Sequence, residues 1–268
     1  MPTIERAGAR IHYDVHGEGP PLLLGHSLLF DGRMWESIVP GLAGRFRVIN
    51  VDARAHRHST AAGPFTIWDL ADDWLAILEQ EKAERAFLAG LSLGGMTAMR
   101  LALRHPDRVA AMVLLDTSAD PEAPGDRRTY RVLAEIQRAV RLHFLVDPIV
   151  ERKMFGVTSR RDKKDLVARG MAIINEKLPR VVYPALRAVF DRESILDRLG
   201  EIRCPTLVLC GEEDAATTPA RAHRMVDRIP GATLTMIPAA GHISAMEQPA
   251  AVETALVDFF ARHSALAA

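Results

Sequence analysis

Short, wholly apolar runs recur along this chain, and between them apolar positions return at helical spacing. The runs are "PLLLGH" (Pro21–His26), "FRVINVD" (Phe46–Asp52), "RAFLAG" (Arg85–Gly90), "VAAMVLLD" (Val109–Asp116), "PTLVLCG" (Pro205–Gly211) and "TLTMIP" (Thr233–Pro238). Each is short and nearly free of polar alternation, which is how a strand buried on both faces of a parallel sheet reads. "ARIHYDVHG" (Ala9–Gly17) differs, alternating with period two before the turn "GEGPP". Helical spacing covers Met34–Leu42, Thr66–Gln80, Gly94–His105, Pro219–Arg228 and Pro249–Ala261. Strands alternating with helices predict a mostly parallel sheet with helices on both faces. In such sheets catalytic groups collect beyond the carboxyl ends of the strands.

One interval breaks the alternation. Residues 118–203 contain no clear strand, only helix-like stretches punctuated by Pro121, Pro124, Pro148, Pro179 and Pro184. In "DLVARGMAIINEKL" one stripe runs through Leu166, Gly170, Ile174 and Leu178. Both flanks, "LLDTS" and "IRCPTLVL", return directly to the sheet. The pattern therefore predicts a core of residues 1–117 and 204–268 with a helical cap, 118–203, inserted over the sheet's carboxyl edge.

Composition narrows the function classes. The chain has 268 residues, 48% hydrophobic and 25% charged, within the ordinary globular range. Lys and Arg balance Asp and Glu at 34 each, and no basic block suggests a nucleic-acid partner. No apolar run reaches the roughly 18 residues of a membrane span, and the first residues lack a signal-peptide core. A cytoplasmic protein is the expectation. Cys204 and Cys210 close the run "CPTLVLC"; along a strand they stand about 20 Å apart, too far for a disulfide.

Candidate chemistry begins at "GLSLGG", Gly90–Gly95. A strand turning sharply into a helix needs small residues two places either side of the turn, because a Cβ there would collide. The central residue is then pushed out of the turn, so Ser92 reads as the tip of a nucleophile elbow. A nucleophilic serine needs a base, and the base an orienting acid. "LCGEEDAATTP" sets Asp214 just beyond a strand, and "MIPAAGHISAMEQP" sets His242 just beyond another. Each piece alone is weak. Three loops, each following its own strand, in the order Ser, Asp, His, make a strong signal.

On these motifs the chain resembles the α/β-hydrolase superfamily, in the serine esterase and lactonase branch that includes 3-oxoadipate enol-lactonases. The likeness runs from Ile11 to Phe260 and is weakest in the cap. It implies an eight-stranded, mostly parallel sheet with the second strand antiparallel, a helical cap, and a catalytic triad of Ser92, Asp214 and His242. Asp116, where some members keep their acid, is expected to be structural. The oxyanion donors it implies are the backbone N–H groups of Leu28 and Leu93. Leu28 follows "GHS", in which Ser27 replaces the usual Gly; only a backbone N–H is required there.

The resemblance implies hydrolysis of an ester or lactone through an acyl-enzyme, on a small to medium, largely apolar small-molecule substrate. Relatives that attack with Asp are excluded by Ser92. Leu29, Phe30, Phe144, Phe155, Met171, Ile174 and Phe190 are the candidate pocket wall. Rival readings are a carbon–carbon bond hydrolase, an aminopeptidase drawing on Glu135 or Glu151, a perhydrolase, and a non-catalytic receptor. No cofactor and no metal are expected, and no nucleic-acid or membrane partner; a homo-oligomer stays open. The chain leaves the family at "RAHRHS" (Arg54–Ser59), where relatives read R-G-H-G-x-S. Ala55 and Arg57 replace glycines that tolerate positive φ, so the loop is expected to be rebuilt, with Arg57 carrying its charge to water. His56 and His58 are expected at a solvated rim rather than on a metal, since no third ligand accompanies them.

Overall fold

The computed structural model describes residues 2–140 and 143–267; the side chains at 140 and 143–145 lie outside the described set. Eight strands form one sheet in the order β1-β2-β4-β3-β5-β6-β7-β8. They are β1 (Thr3–Arg6), β2 (Ala9–His16), β3 (Pro21–Gly25), β4 (Arg47–Val51), β5 (Ala86–Leu91), β6 (Val109–Leu115), β7 (Thr206–Gly211) and β8 (Thr233–Ile237). β2 runs antiparallel to both β1 and β4, and all later pairs are parallel.

Strand alternation divides the core. Leu22, Leu24, Phe87, Ala89, Val113, Leu207 and Leu209 point to one face, where α1 (Val39–Ala43) and α11 (Pro249–Arg262) add Leu42, Leu256 and Phe260. Leu23, Leu88, Met112, Leu114 and Val208 point to the other. There α2 (Ile67–Gln80) and α3 (Leu93–Arg104) add Trp74, Ile77, Met99 and Leu101. Burying one such side chain contributes about 1.5–3 kcal/mol, so the wholly apolar runs are what hold the sheet between its two layers.

Between β6 and β7 the chain is helical. It forms α4 (Pro124–Val140), α5 (His143–Met154), α6 (Val157–Asp162), α7 (Lys164–Asn175) and α8 (Pro179–Phe190), then a 3₁₀ turn at Leu196–Glu201. After β7 come α9 (Pro219–Val226), then β8, then α10 (Ser244–Glu247) ahead of α11.

Three expectations change. The four-residue β1 is too short to show in the hydrophobic pattern, yet it pairs in full with Ala9–His12. The helix expected over Met34–Leu42 is a 3₁₀ turn, Gly32–Trp35, followed by α1. Pro40 is the reason, since it lacks the N–H that a continuous helix would bond to Glu36; it sits instead in the first turn of α1, where no donor is needed. The α7 stripe ends at Ile174, because Pro179 starts α8 and disfavours helix just before it; Leu178 is exposed.

Register then aligns the loops. Gly25 stands opposite Gly90, Leu91 opposite Leu115, and Leu115 opposite Leu209. The segments carrying Ser27, Ser92, Asp116, Asp214 and His242 therefore all leave the same edge of the sheet.

Candidate active site

Ser92 joins β5 to α3 at φ 54° and ψ −107°, a conformation a residue with a Cβ seldom adopts. The glycines around it are sterically required. A Cβ on Gly90 would lie 2.2 Å from the Gly94 carbonyl carbon, and one on Gly94 would lie 2.2 Å from the Gly25 oxygen. The turn is held from outside as well: the Ser92 amide donates to Leu115 O (2.9 Å), and Thr117 Oγ1 donates to Ser92 O (2.7 Å).

Asp214 follows β7 in a tight turn. Its Oδ1 accepts the amides of Ala216 (2.7 Å) and Thr217 (2.9 Å), and its Oδ2 accepts Thr217 Oγ1 (2.8 Å). His242 Nδ1 lies 3.1 and 3.2 Å from the two carboxylate oxygens. Both side chains are buried. Burial alone would raise the Asp214 pKa, but the charge and hydrogen bond of His242 and the donors from Thr217 hold it below the ordinary carboxylate value. Burial likewise opposes charging His242, yet the Asp214 charge and hydrogen bond keep its pKa above the ordinary imidazole value. An ionised carboxylate only accepts, so Nδ1 carries the proton and Nε2 is left as the acceptor. Ser92 and His242 line one cavity of about 220 Å³.

Asp116 has a different set of partners. Its Oδ1 accepts the Gly211 amide (2.7 Å), and its Oδ2 accepts the amide (3.2 Å) and hydroxyl (2.5 Å) of Ser244. It ties the end of β7 to the loop of His242 and makes no hydrogen bond to the imidazole itself. Burial and the nearby Asp214 charge push its pKa up to about 8. Asp116, Cys210 and Asp214 cluster closely enough to suggest a metal. Their carboxylate oxygens, however, already accept protein donors: Asp116 from Gly211 and Ser244, Asp214 from Ala216, Thr217 and His242.

Two histidines that sequence reasoning left aside build the floor of the site. His26 Nδ1 donates to Ser27 O (2.8 Å), and its Nε2 accepts the Ala53 amide (2.9 Å). His56 Nδ1 donates to Arg54 O (2.8 Å), and its Nε2 accepts the Leu29 amide (3.3 Å). Burial and the neighbouring His26 lower the His56 pKa to about 3, so it stays a neutral acceptor. His56 is fully buried, which corrects its expected place at a solvated rim; only His58 is exposed. The Leu29 and Phe30 amides are bonded to His56 Nε2 and Ser27 O, whereas the Leu28 amide, like that of Ser27, has no acceptor among the described residues. Leu93 opens α3, where an amide has no intrahelical acceptor.

The loop itself overturns another expectation. Ala55 and Arg57 both adopt positive φ, 64° and 45°, so the loop keeps a glycine-like path instead of rebuilding. Each such residue costs about 1–2 kcal/mol. Ala55→Gly and Arg57→Gly should relieve that strain, less about 0.4–1 kcal/mol of added unfolded-chain entropy. A rise in Tm of about 1–3 °C for each variant in a thermal melt is expected; a fall would show an unstrained loop.

The helical insertion closes over this edge. Leu29, Ile174 and Phe190 line the cavity as expected, together with Leu28, Met96 and Val189. Phe30, Phe155 and Met171 do not. Phe30 and Phe155 are fully buried in the core, Phe155 against Gly170, and Met171 packs on that same cluster. Helical spacing places such residues inward without telling packing from pocket. The side chain of Phe144 lies outside the described residues. Glu135 pairs with Arg138 and Tyr183 away from the cavity, and Glu151 does not line it, so neither offers an amine site.

Carboxylates missed by the sequence reading fasten the insertion to the loops of the site. Glu213, beside Asp214, accepts the Thr158 amide (2.8 Å) and hydroxyl (2.5 Å). Glu247 accepts the amides of Gly156 (2.9 Å) and Gly241 (2.8 Å), the latter beside His242. Both satisfy donors at the start of α6 that no helix bond can reach. Lys177, between α7 and α8, donates to Asp31 Oδ2 (2.6 Å) in a buried ion pair that ties the insertion to the segment following β3.

A family model described as alpha/beta hydrolase fold matches residues 20–249. The chain is 33% identical over 264 residues to a Variovorax paradoxus protein provisionally named carbamate hydrolase RutD, covering 95% of this chain and 97% of that one. It superposes with a TM-score of 0.91 on a thermophilic esterase from Thermogutta terrifontis, 29% identical, covering 99% and 97% of the two chains. The enol-lactonase from Burkholderia xenovorans LB400 gives a TM-score of 0.89 at 30% identity, covering 97% and 100%. Among the described residues no helix is long and apolar enough to cross a membrane.

Proposed function

The chain belongs to the alpha/beta hydrolase family, and on that premise we propose that it is a serine hydrolase of carboxylic esters or lactones. The observation that carries this reading is the Asp214–His242 hydrogen bond in a cavity shared with Ser92. In the reaction, His242 Nε2 takes the Ser92 proton as Oγ attacks the carbonyl carbon. The Leu28 and Leu93 amides stabilise the charge that develops on the carbonyl oxygen, a contribution worth about 10²–10³ in rate per donor. His242 then protonates the leaving alkoxide, giving an acyl-enzyme and an alcohol. Water, activated by the same imidazole, attacks the acyl carbon and returns Ser92. The helices over the cavity act as a lid whose apolar wall favours an apolar acyl or alcohol group. A carbamate offers the same carbonyl to the same serine, and the 33% identity to a protein provisionally named carbamate hydrolase makes it the second reading.

A panel of p-nitrophenyl acetate and butyrate, simple lactones, carbamates and aminoacyl anilides tests the assignment. Turnover of esters or lactones is expected to exceed that of anilides, and an inert panel would move the protein to the non-catalytic class. The pH profile adds a constraint. His242 must be neutral to accept a proton, and its pKa lies above the ordinary value of about 6.5. The kcat/KM should therefore rise with pH through an apparent pKa above about 6.5 and be lost below it. An acid limb centred near 5 would place a different group in the role of base.

A further inference from the structure

A second cleft, of about 950 Å³, opens between the loop "RAHRHS", the start of β2 and the first turn of α8, and its lining includes Arg10, His12, Arg57, His58 and Arg180. It shares no residue with the cavity of Ser92. No acidic side chain lines it, and the three guanidinium groups make no ion pair or hydrogen bond among the described residues. Arg33, Arg54 and Arg192, by contrast, are paired with acids.

The cleft has a built wall. Thr60 N donates to Arg10 O (2.9 Å), Arg10 N to Thr60 Oγ1 (2.9 Å), and His12 N to Ser59 Oγ (2.8 Å). The loop is thus stitched to β2 and presents Arg57 from a fixed backbone, at a conformation that costs stability. His12, 4% exposed, is among the residues that line the cleft. Its Nδ1 faces Asp52 at 3.2 Å, while its Nε2 is buried without a hydrogen bond; the nearest acid, Asp14, stands 3.6 Å away. The ring of His12 thus stands between two carboxylates, and what points to an anionic ligand is the set of three guanidinium groups, brought from β2, the loop and α8 to one hollow with no protein partner among the described residues.

We propose that this cleft binds a soluble organic phosphate carrying at least two negative charges. Guanidinium forks match phosphate oxygens in pairs, and a single exposed ion pair contributes little in water, so the ligand must engage several arginines together. The three arginines rim a single hollow, which suits a small free molecule better than an extended lipid surface. Arg180 and Val181 face this cleft while Val182, Leu186 and Val189 of the same helix face the Ser92 cavity, so an occupant here holds one wall of that cavity.

Calorimetric titration of the full chain with inorganic pyrophosphate at low ionic strength tests the site. Saturable one-to-one binding is expected, weakening about tenfold or more in Arg57→Gly and in Arg180→Ala, and less in Arg57→Lys. Arg57→Gly should keep its fold, since glycine adopts positive φ freely, and Arg180→Ala removes only an exposed side chain. Turnover of p-nitrophenyl butyrate without pyrophosphate should be unchanged in both, and the binding readout does not depend on Ser92 chemistry. Absence of saturable binding, or equal affinity in wild type and both variants, overturns the proposal. Pelleting with phosphatidylglycerol vesicles without pyrophosphate binding overturns it as well.

Discussion

Ser92→Ala is expected to lower ester turnover by about 10⁶ in kcat while leaving a folded protein, the scale of loss when a serine triad is deprived of its nucleophile. The side chain lost is a single hydroxyl that faces the cavity, so no packing void opens in the core. The backbone effect is small, because alanine meets the same positive φ that serine does. Labelling with a fluorophosphonate separates chemistry from folding. Wild type should acquire one covalent phosphonyl group and the variant none. Equal labelling of the two, or an unlabelled wild type that still hydrolyses esters, would remove Ser92 from the role of nucleophile. Asp214–His242 would then be an ion pair beside a binding pocket.

How far the sequence discloses this site can be judged residue by residue. The elbow was legible because its glycines answer to local sterics: Gly90 and Gly94 each meet backbone at a distance no Cβ tolerates. The order of Ser92, Asp214 and His242 was legible because register brings strand ends to one edge. What failed depended on contacts distant in sequence. His56 looked like a surface residue because nothing nearby reveals that its Nε2 will accept an amide 27 positions away. Phe155 and Ile174 carry the same apolar signal, yet one fills the core and the other faces the cavity. The replacement of glycine at Ala55 and Arg57 allows either strain or rebuilding, and the expectation of rebuilding was the wrong one. Bonds to a distant strand, Thr60 N to Arg10 O (2.9 Å) and His12 N to Ser59 Oγ (2.8 Å), hold the loop on its strained path. Glu213 and Glu247 gave a usable signal in hindsight, each standing beside a predicted catalytic loop, but their partners lie in the helices where sequence resemblance is weakest.

Two buried carboxylates share this edge of the sheet, and exchanging each for its amide should separate their roles. Asp214→Asn should lower kcat by about 10⁴, because the amide can donate to His242 Nδ1 and so favours the tautomer with the proton on Nε2, which cannot accept from Ser92. Stability should change little in comparison, since the Asn oxygen still accepts from the Ala216 and Thr217 amides. Asp116→Asn should leave kcat within about tenfold, as Asp116 bonds Ser244 and Gly211 rather than the imidazole. Its signature is in stability against pH. With a folded pKa of about 8 against an unfolded value of about 4, Asp116 stabilises the fold fully only below the unfolded pKa. That contribution is lost as pH rises through the folded pKa. Asparagine carries no such proton, so the Tm of Asp116→Asn relative to wild type should improve from pH 5 to about pH 8 and level off above it. A larger loss of kcat in Asp116→Asn than in Asp214→Asn would move the acid of the triad to β6. A Tm difference that stays flat with pH would mean that Asp116 is already ionised in the fold, and that its bond to the Ser244 hydroxyl is charge-assisted.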